Sequence, residues 1–176
     1  KIFRPRVEQL MKFCEGKSIN VKRLFDVGAG FGIFLEEWRK CSPQTQLLAI
    51  EPSARLAQEC RSKSLEVVEE ILENVVGHDN SADFVTCFEV LEHVYDPLAF
   101  LQELRRLVSP GGYVLVSTLC IDGFDLQVLW DKSNQISPPH HINFLPVEGF
   151  KRLFQRAGLV NVEVTTPGRL DVDIVR

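Results

Sequence analysis

The chain has 176 residues, of which 45% are hydrophobic and 25% charged, with 20 basic side chains against 24 acidic ones. That is ordinary globular composition at the length of one domain, enough to bury roughly 70% of the unfolded surface around a single core. The formal net charge of -4 excludes a strongly basic nucleic-acid binder and an acidic disordered tail, and no apolar run approaches the roughly 18 residues of a membrane span. No charged-then-apolar leader opens the sequence. The cysteines, Cys14, Cys41, Cys60, Cys87 and Cys120, are odd in number, widely spaced and never C-x-x-C. They predict neither a disulfide scaffold nor a zinc site, and they suit a reducing, cytoplasmic setting.

Taken in chain order, Val7, Leu10, Met11 and Cys14 fall at i, i+3, i+4, i+7 and predict a helix that Gly16 ends. Residues 23–27 read as an apolar strand interrupted by Asp26. Phe31, Phe34, Leu35 and Trp38 repeat the helical stripe. Residues 46–50 form a second apolar run, and Ser53 then opens a helix to about Ser62 as N-cap. Short strands are expected at 65–68 and 84–88. Asp96-Pro97 has the N-cap and first-turn signature of a helix carrying Phe100, Leu101, Leu104 and Val108, which Ser109-Pro110-Gly111-Gly112 would stop before a strand at 113–117. Phe150, Leu153, Phe154 and Ala157 make a last amphipathic helix, after which Val160, Val162 and Val164 alternate as an edge strand would. Strands alternating with helices give βαβ units and a parallel sheet. The expected fold is a Rossmann-like, doubly wound three-layer α/β/α sandwich, one domain over 1–176, mostly parallel with an antiparallel C-terminal edge.

The stretch Asp26-Val27-Gly28-Ala29-Gly30-Phe31-Gly32 lies at a strand-to-helix turn, where glycines let backbone approach a ligand. The dinucleotide fingerprint G-x-G-x-x-G would put its third glycine at Ile33, but here it falls at Gly32. Asp26 would repel a pyrophosphate and suits a ligand bearing a positive amine. Glu51, closing the second strand before Pro52, is placed to accept two hydrogen bonds from a ribose diol.

The motifs D-V-G-A-G-F-G, I-E-P, F-E-V-L-E-H-V-Y-D-P and L-V-S-P-G-G-Y-V-L-V-S-T, in that order, resemble the class I S-adenosylmethionine-dependent methyltransferases of small-molecule type. The resemblance implies S-adenosyl-L-methionine as cofactor, S-adenosyl-L-homocysteine as product and a sheet order of 3-2-1-4-5-7-6. It implies that Asp26, Gly28, Ala29, Gly30, Phe31 and Gly32 hold the methionine end. Glu51 with Pro52 would take the ribose, residues 69–71 with Glu70 the adenine, and Glu89 would border the methyl group. The implied partner is a small-molecule acceptor, with no nucleic acid and no membrane, and O-methylation is the first expectation. A nicotinamide-dependent oxidoreductase and a non-catalytic cofactor-binding module are the rivals.

Methyl transfer needs an aligned acceptor, and a base where that acceptor is a hydroxyl or protonated amine. The candidates are His93, just past the fourth strand, and His140 and His141, in Pro138-Pro139-His140-His141 before the last helix. His141 is the first choice. His78, in a polar loop, reads as solvated. Glu89, Glu92 and His93 at i, i+3, i+4 would share one face of a helical turn and offer a divalent-cation site. This turn resembles that of ubiquinone-pathway O-methyltransferases and of small-RNA 3′-end methyltransferases, which add a later histidine. Because E-H-V is common across the wider family without metal, no metal is expected, and the charge balance argues against RNA. Trp130, in the insertion at 119–139, reads as core packing or, alternatively, as a lid. Arg105-Arg106 and Lys151-Arg152 read as exposed helix faces. The last strand is expected either at 170–175 or beyond Arg176.

Overall fold

Helix α1 (Phe3–Gly16) buries Val7, Leu10 and Cys14, the stripe that its spacing predicts. The computed structural model describes residues 3–166. Strands β1 (Arg23–Val27), β2 (Gln46–Ile50), β3 (Glu66–Val68), β4 (Ala82–Phe88) and β5 (Val108–Ser117) form one sheet in the order β3-β2-β1-β4-β5. β1 pairs in parallel with β2, Arg23 opposite Gln46 and Val27 opposite Ile50, and on its other side with β4, Leu24 opposite Phe84 and Val27 opposite Cys87. β2 pairs in parallel with β3.

The central strands are apolar runs because both faces are covered. Leu24, Phe25, Val27, Phe84, Val85 and Cys87 are all buried, each larger side chain contributing roughly 1.5–3 kcal/mol by leaving water. Asp83 sets the register: its Oδ2 accepts from the backbone N–H groups of Lys22 and Arg23, both at 2.8 Å, so the start of β1 is pinned to β4. Helix α2 (Ile33–Cys41) packs on β2, and α3 (Ala54–Ser62) packs on β2 and β3. Arg39 of α2 ties the two helices by donating to Lys63 O at 2.8 Å and Ser64 O at 3.3 Å. Strand order reverses between β1 and β4, so their carboxyl ends flank the switch point at which open α/β sheets take their ligands.

Helix α4 (Pro97–Leu107) begins as its sequence predicts, with Asp96 Oδ1 accepting from Leu98 N and Ala99 N, both at 3.0 Å. The short α5 (Phe124–Leu129) follows β5, and α6 (Val147–Arg156) buries Phe150 and Leu153. Contacts divide the chain into two compact units, one of Lys1–Phe88 with Arg106–Val116 and one of Glu89–Arg105 with Ser117–Arg176. Among the described residues no helix is long and apolar enough to cross a membrane.

Three expectations change. Helix α2 starts at Ile33, because Gly32 is left-handed at φ 68 and leaves Phe31 outside the helix. Strand β5 starts at Val108 and runs through Ser109-Pro110-Gly111-Gly112 rather than after it. Residues 160–166 carry no strand: Asn161 is left-handed at φ 54, which breaks the alternation of Val160, Val162 and Val164. The expected final strand at 170–175 lies outside the described residues.

Candidate functional site

The turn after β1 has three glycines in the left-handed region, Gly28 at φ 72, Gly30 at φ 57 and Gly32 at φ 68. Gly28 N and Ala29 N donate to Ile50 O at 2.9 and 3.3 Å, so the turn hangs from the end of β2. The glycines do different work. A Cβ at Gly30 would meet nothing within 4 Å, so the turn borders open space there. A Cβ at Gly32 would lie 2.7 Å from Leu65 Cδ1 and 2.9 Å from Cys60 Sγ, so that glycine is set by packing against α3 and the approach to β3.

Two buried carboxylates accompany the turn. Asp26 is 2% exposed, and its Oδ1 accepts from Thr86 Oγ1 at 2.7 Å. Burial pushes its carboxyl up to about 7, assisted by the charge of Glu51 and opposed by the Thr86 hydrogen bond. Glu51 is also buried. Its Oε2 accepts from Gly30 N at 2.8 Å and its Oε1 from Ser53 N at 2.9 Å. Each oxygen keeps a second lone pair for a diol. Glu51 therefore serves the start of α3, where Ser53 makes no side-chain cap.

Around them Pro52 is exposed, and Phe31 is half exposed with the Arg55 guanidinium 5.6 Å from its ring centre. Glu70 is exposed and accepts from Asn74 Nδ2 at 3.2 Å. Ile71, in the same expected segment 69–71, is 50% exposed and leaves an apolar side chain beside Glu70 just past β3. Arg6 escapes the sequence pattern. Its guanidinium lies 5.2 Å from the Phe88 ring and 5.6 Å from that of Phe3, placing a cation at the carboxyl end of β4. Nothing local in an exposed-looking N-terminal helix signals that placement.

The second unit holds an acid–histidine cluster. Glu89 is left-handed at φ 54; its N–H donates to Ser117 O at 2.8 Å and its carboxylate accepts from the Ser117 hydroxyl. Leu91–His93 is a single 3-10 turn in which Glu92 is 1% exposed. Its Oε2 accepts from Thr118 Oγ1 at 2.8 Å. Burial pushes the Glu92 carboxyl up, while the Thr118 hydrogen bond and His93 act the other way. His93 Nδ1 donates to His140 O at 2.8 Å, and His141 Nδ1 donates to Gln135 O at 2.7 Å. A carbonyl can only accept, so in each neutral ring the hydrogen sits on Nδ1 and Nε2 keeps its lone pair. The two rings are 4.8 Å apart. Ligand atoms of Glu92, His93 and His141 all lie within 4.8 Å of one another.

Of the expected residues, Glu92, His93 and His141 come together, whereas Glu89 is engaged with Ser117 and is not in that group. His140 enters through its carbonyl, with its side chain exposed. His78 is not simply solvated: its ring meets Phe25 edge-on at 5.6 Å and its Nδ1 is buried. Trp130 is 61% exposed and not core. Arg105 donates to Gly158 O at 3.0 Å, and Arg106 pairs with Asp79 and donates to Val75 O at 2.8 Å, so neither is an idle surface charge.

The sequence pattern of a family described as a methyltransferase domain matches residues 2–164. The chain is 40% identical over 103 residues to the ubiquinone biosynthesis O-methyltransferase of Vibrio cholerae, a match covering 56% of this chain and 42% of that protein. The Yersinia pestis enzyme of the same name is likewise 40% identical, with 43% of its length covered. The chain thus spans less than half the length of these relatives. Among solved structures, an S-adenosylmethionine-dependent methyltransferase from Thermotoga maritima superposes with a TM-score of 0.65 at 24% identity, covering 89% of this chain and 79% of that one. The plantazolicin methyltransferase BpumL, crystallised with S-adenosylhomocysteine, gives 0.70 at 17% identity, covering 86% and 61%. With the sheet order, the glycine turn and the family match in agreement, the chain belongs to the methyltransferase-domain family and has the Rossmann-like fold of class I S-adenosylmethionine-dependent methyltransferases.

Proposed function

We propose that the chain, as one catalytic domain, is an S-adenosylmethionine-dependent methyltransferase that methylates an oxygen of a small organic acceptor. The observation that carries this reading is the pair of buried acids, Asp26 and Glu51, beside a turn that is open at Gly30. The residues fit the cofactor. Asp26 suits its ammonium, Glu51 its ribose diol, the Gly30 opening its close approach to backbone, and Ile71 its adenine. Phe31, Pro52 and Glu70 are exposed and free to meet it from solvent, and the Arg6 guanidinium is of the right charge for its carboxylate. When bound, the cofactor supplies an electrophilic methyl group on a sulfonium. The protein's share is to orient the acceptor in line and exclude water, worth up to roughly 7–11 kcal/mol in favourable cases. An imidazole Nε2 of His141 or His93 takes the acceptor's proton. The O-methyltransferase relatives favour oxygen as the methylated atom.

Thermal melting tests the cofactor reading without knowledge of the acceptor. At a hundredfold excess over Kd a bound ligand adds about 2.7 kcal/mol, or roughly 5–10 °C for a chain of this size. S-adenosylhomocysteine is expected to give such a shift and NADH none. The reverse result would assign the fold to a nicotinamide-dependent oxidoreductase.

One observation favours a metal-assisted variant of this chemistry. Each imidazole of the Glu92, His93 and His141 group gives its Nδ1 hydrogen to a backbone carbonyl, the outer support usual for metal-ligating histidines. A divalent cation held there would organise vicinal hydroxyls of the acceptor. Calorimetric titration with Mg²⁺ or Mn²⁺ is expected to show one site that Glu92→Gln abolishes. Absence of binding heat, with activity indifferent to chelator, would leave the histidines as bases alone.

A further inference from the structure

Asn143 stands outside the glycine turn and the imidazole pair, yet it makes two of the hydrogen bonds that shape the Glu92–His93 turn. Its Nδ2 donates to Leu91 O at 3.0 Å and to Val94 O at 2.6 Å, the carbonyls on either side of Glu92 and His93. The Ile142 and Asn143 backbone N–H groups both donate to Glu92 O, at 2.8 and 3.2 Å. His93 Nδ1, bonded to His140 O, closes the lacing.

A single 3-10 turn satisfies little of its own backbone, so its carbonyls need partners from elsewhere. A primary amide is suited to two of them because it carries two N–H donors, where serine has one and aspartate none. The next residue but one before Asn143 is His141, whose own Nδ1 is held by Gln135 O. The same short strip of chain thus carries one imidazole and clamps the turn that carries the other.

We propose that Asn143 is a positioning residue: by holding the Leu91 and Val94 carbonyls it fixes the His93 ring relative to that of His141, keeping the two imidazoles grouped with the buried Glu92 side chain. The functional weight of this clamp rests on the reading that the histidines serve the acceptor chemistry; the clamp itself is testable without it.

The test is imidazole ¹⁵N NMR on the full chain with S-adenosylhomocysteine bound, comparing wild type with Asn143→Asp and Asn143→Ser. In wild type His93 and His141 are expected in the Nδ1–H tautomer, the opposite of a free imidazole's preference. In both variants His93 is expected to move toward the free-imidazole mixture, with its ring hydrogen exchanging about tenfold faster. S-adenosylhomocysteine affinity and the His78 signals should stay as they are, which a general loosening of the fold would not allow. Should the aspartate variant fail to fold, the serine variant decides. Unmoved His93 and His141 signals in a folded variant overturn the proposal, as does a wild type without the Nδ1–H tautomers. Full turnover by both His93→Ala and His141→Ala would remove the histidines from the chemistry while leaving the spectra interpretable, so the two failures are distinct.

Discussion

Asp26→Asn is expected to raise the stability of the ligand-free protein above neutral pH while weakening its hold on a cationic cofactor. The buried Asp26 carboxyl titrates at about 7 instead of the usual 3.8, chiefly through burial. The folded state therefore holds this proton more tightly than the unfolded chain. Its contribution to stability is complete below 3.8 and is lost as pH rises through about 7, a swing on the order of 4 kcal/mol. Asparagine keeps an oxygen for the Thr86 hydroxyl and carries no charge, so it removes that loss. Urea unfolding of the two proteins should show a small gap near pH 4 and the full gap near pH 8. The cost falls on binding, because a ligand ammonium beside Asp26 would favour the ionised form. Wild type should release a proton on binding S-adenosylmethionine at pH 6, seen as a dependence of binding heat on buffer ionisation; the variant should not. Equal stability of the two proteins at pH 8 would contradict an acid held this far from its ordinary range.

His141→Ala is expected to lower methyl transfer by about 10²–10⁴-fold, the range a positioned general base contributes, while S-adenosylhomocysteine affinity stays within about twofold. The reason lies in Gln135 O, which holds the Nδ1 hydrogen and leaves Nε2 as acceptor. Turnover is to be followed on a panel of catechols, phenols and amines. If the histidine acts as a base, Mg²⁺ binding is untouched by the substitution; if it acts as a ligand, metal binding and turnover fall together. Turnover at the wild-type rate would exclude His141 from both.

Much of the sheet is legible from local pattern. The apolar runs at 23–27 and 46–50 end where the strands end, and Asp96-Pro97 opens a helix whose cap bonds are present. The failures share a cause, backbone conformations or partners that spacing does not encode. Phe31 keeps helical spacing, yet Gly32 turns the chain left-handed one residue later. Glu89 has the i, i+3, i+4 relation to Glu92 and His93, but its own positive φ takes it out of the turn and onto Ser117. The third member of the histidine cluster, His141, lies far beyond His93 in the chain, and the local motif gives no distance to it. Arg6 and Asn143 escape notice for the same reason, since each matters through what the fold sets beside it. The acids are easier: Asp26 and Glu51 are charged residues in runs destined for burial, a conflict visible in the amino-acid pattern itself.

The lacing of the Glu92 turn has a consequence for what position 142 can carry. Ile142 is held by its backbone N–H, bonded to Glu92 O, while its side chain is 46% exposed. Any residue but proline supplies the same N–H. Position 142 is thus a fixed mount with an interchangeable fitting, flanked by the imidazole of His141 and the amide of Asn143. The side chain there can change in size, charge or aromaticity while the hydrogen-bonded frame beneath it stays as it is.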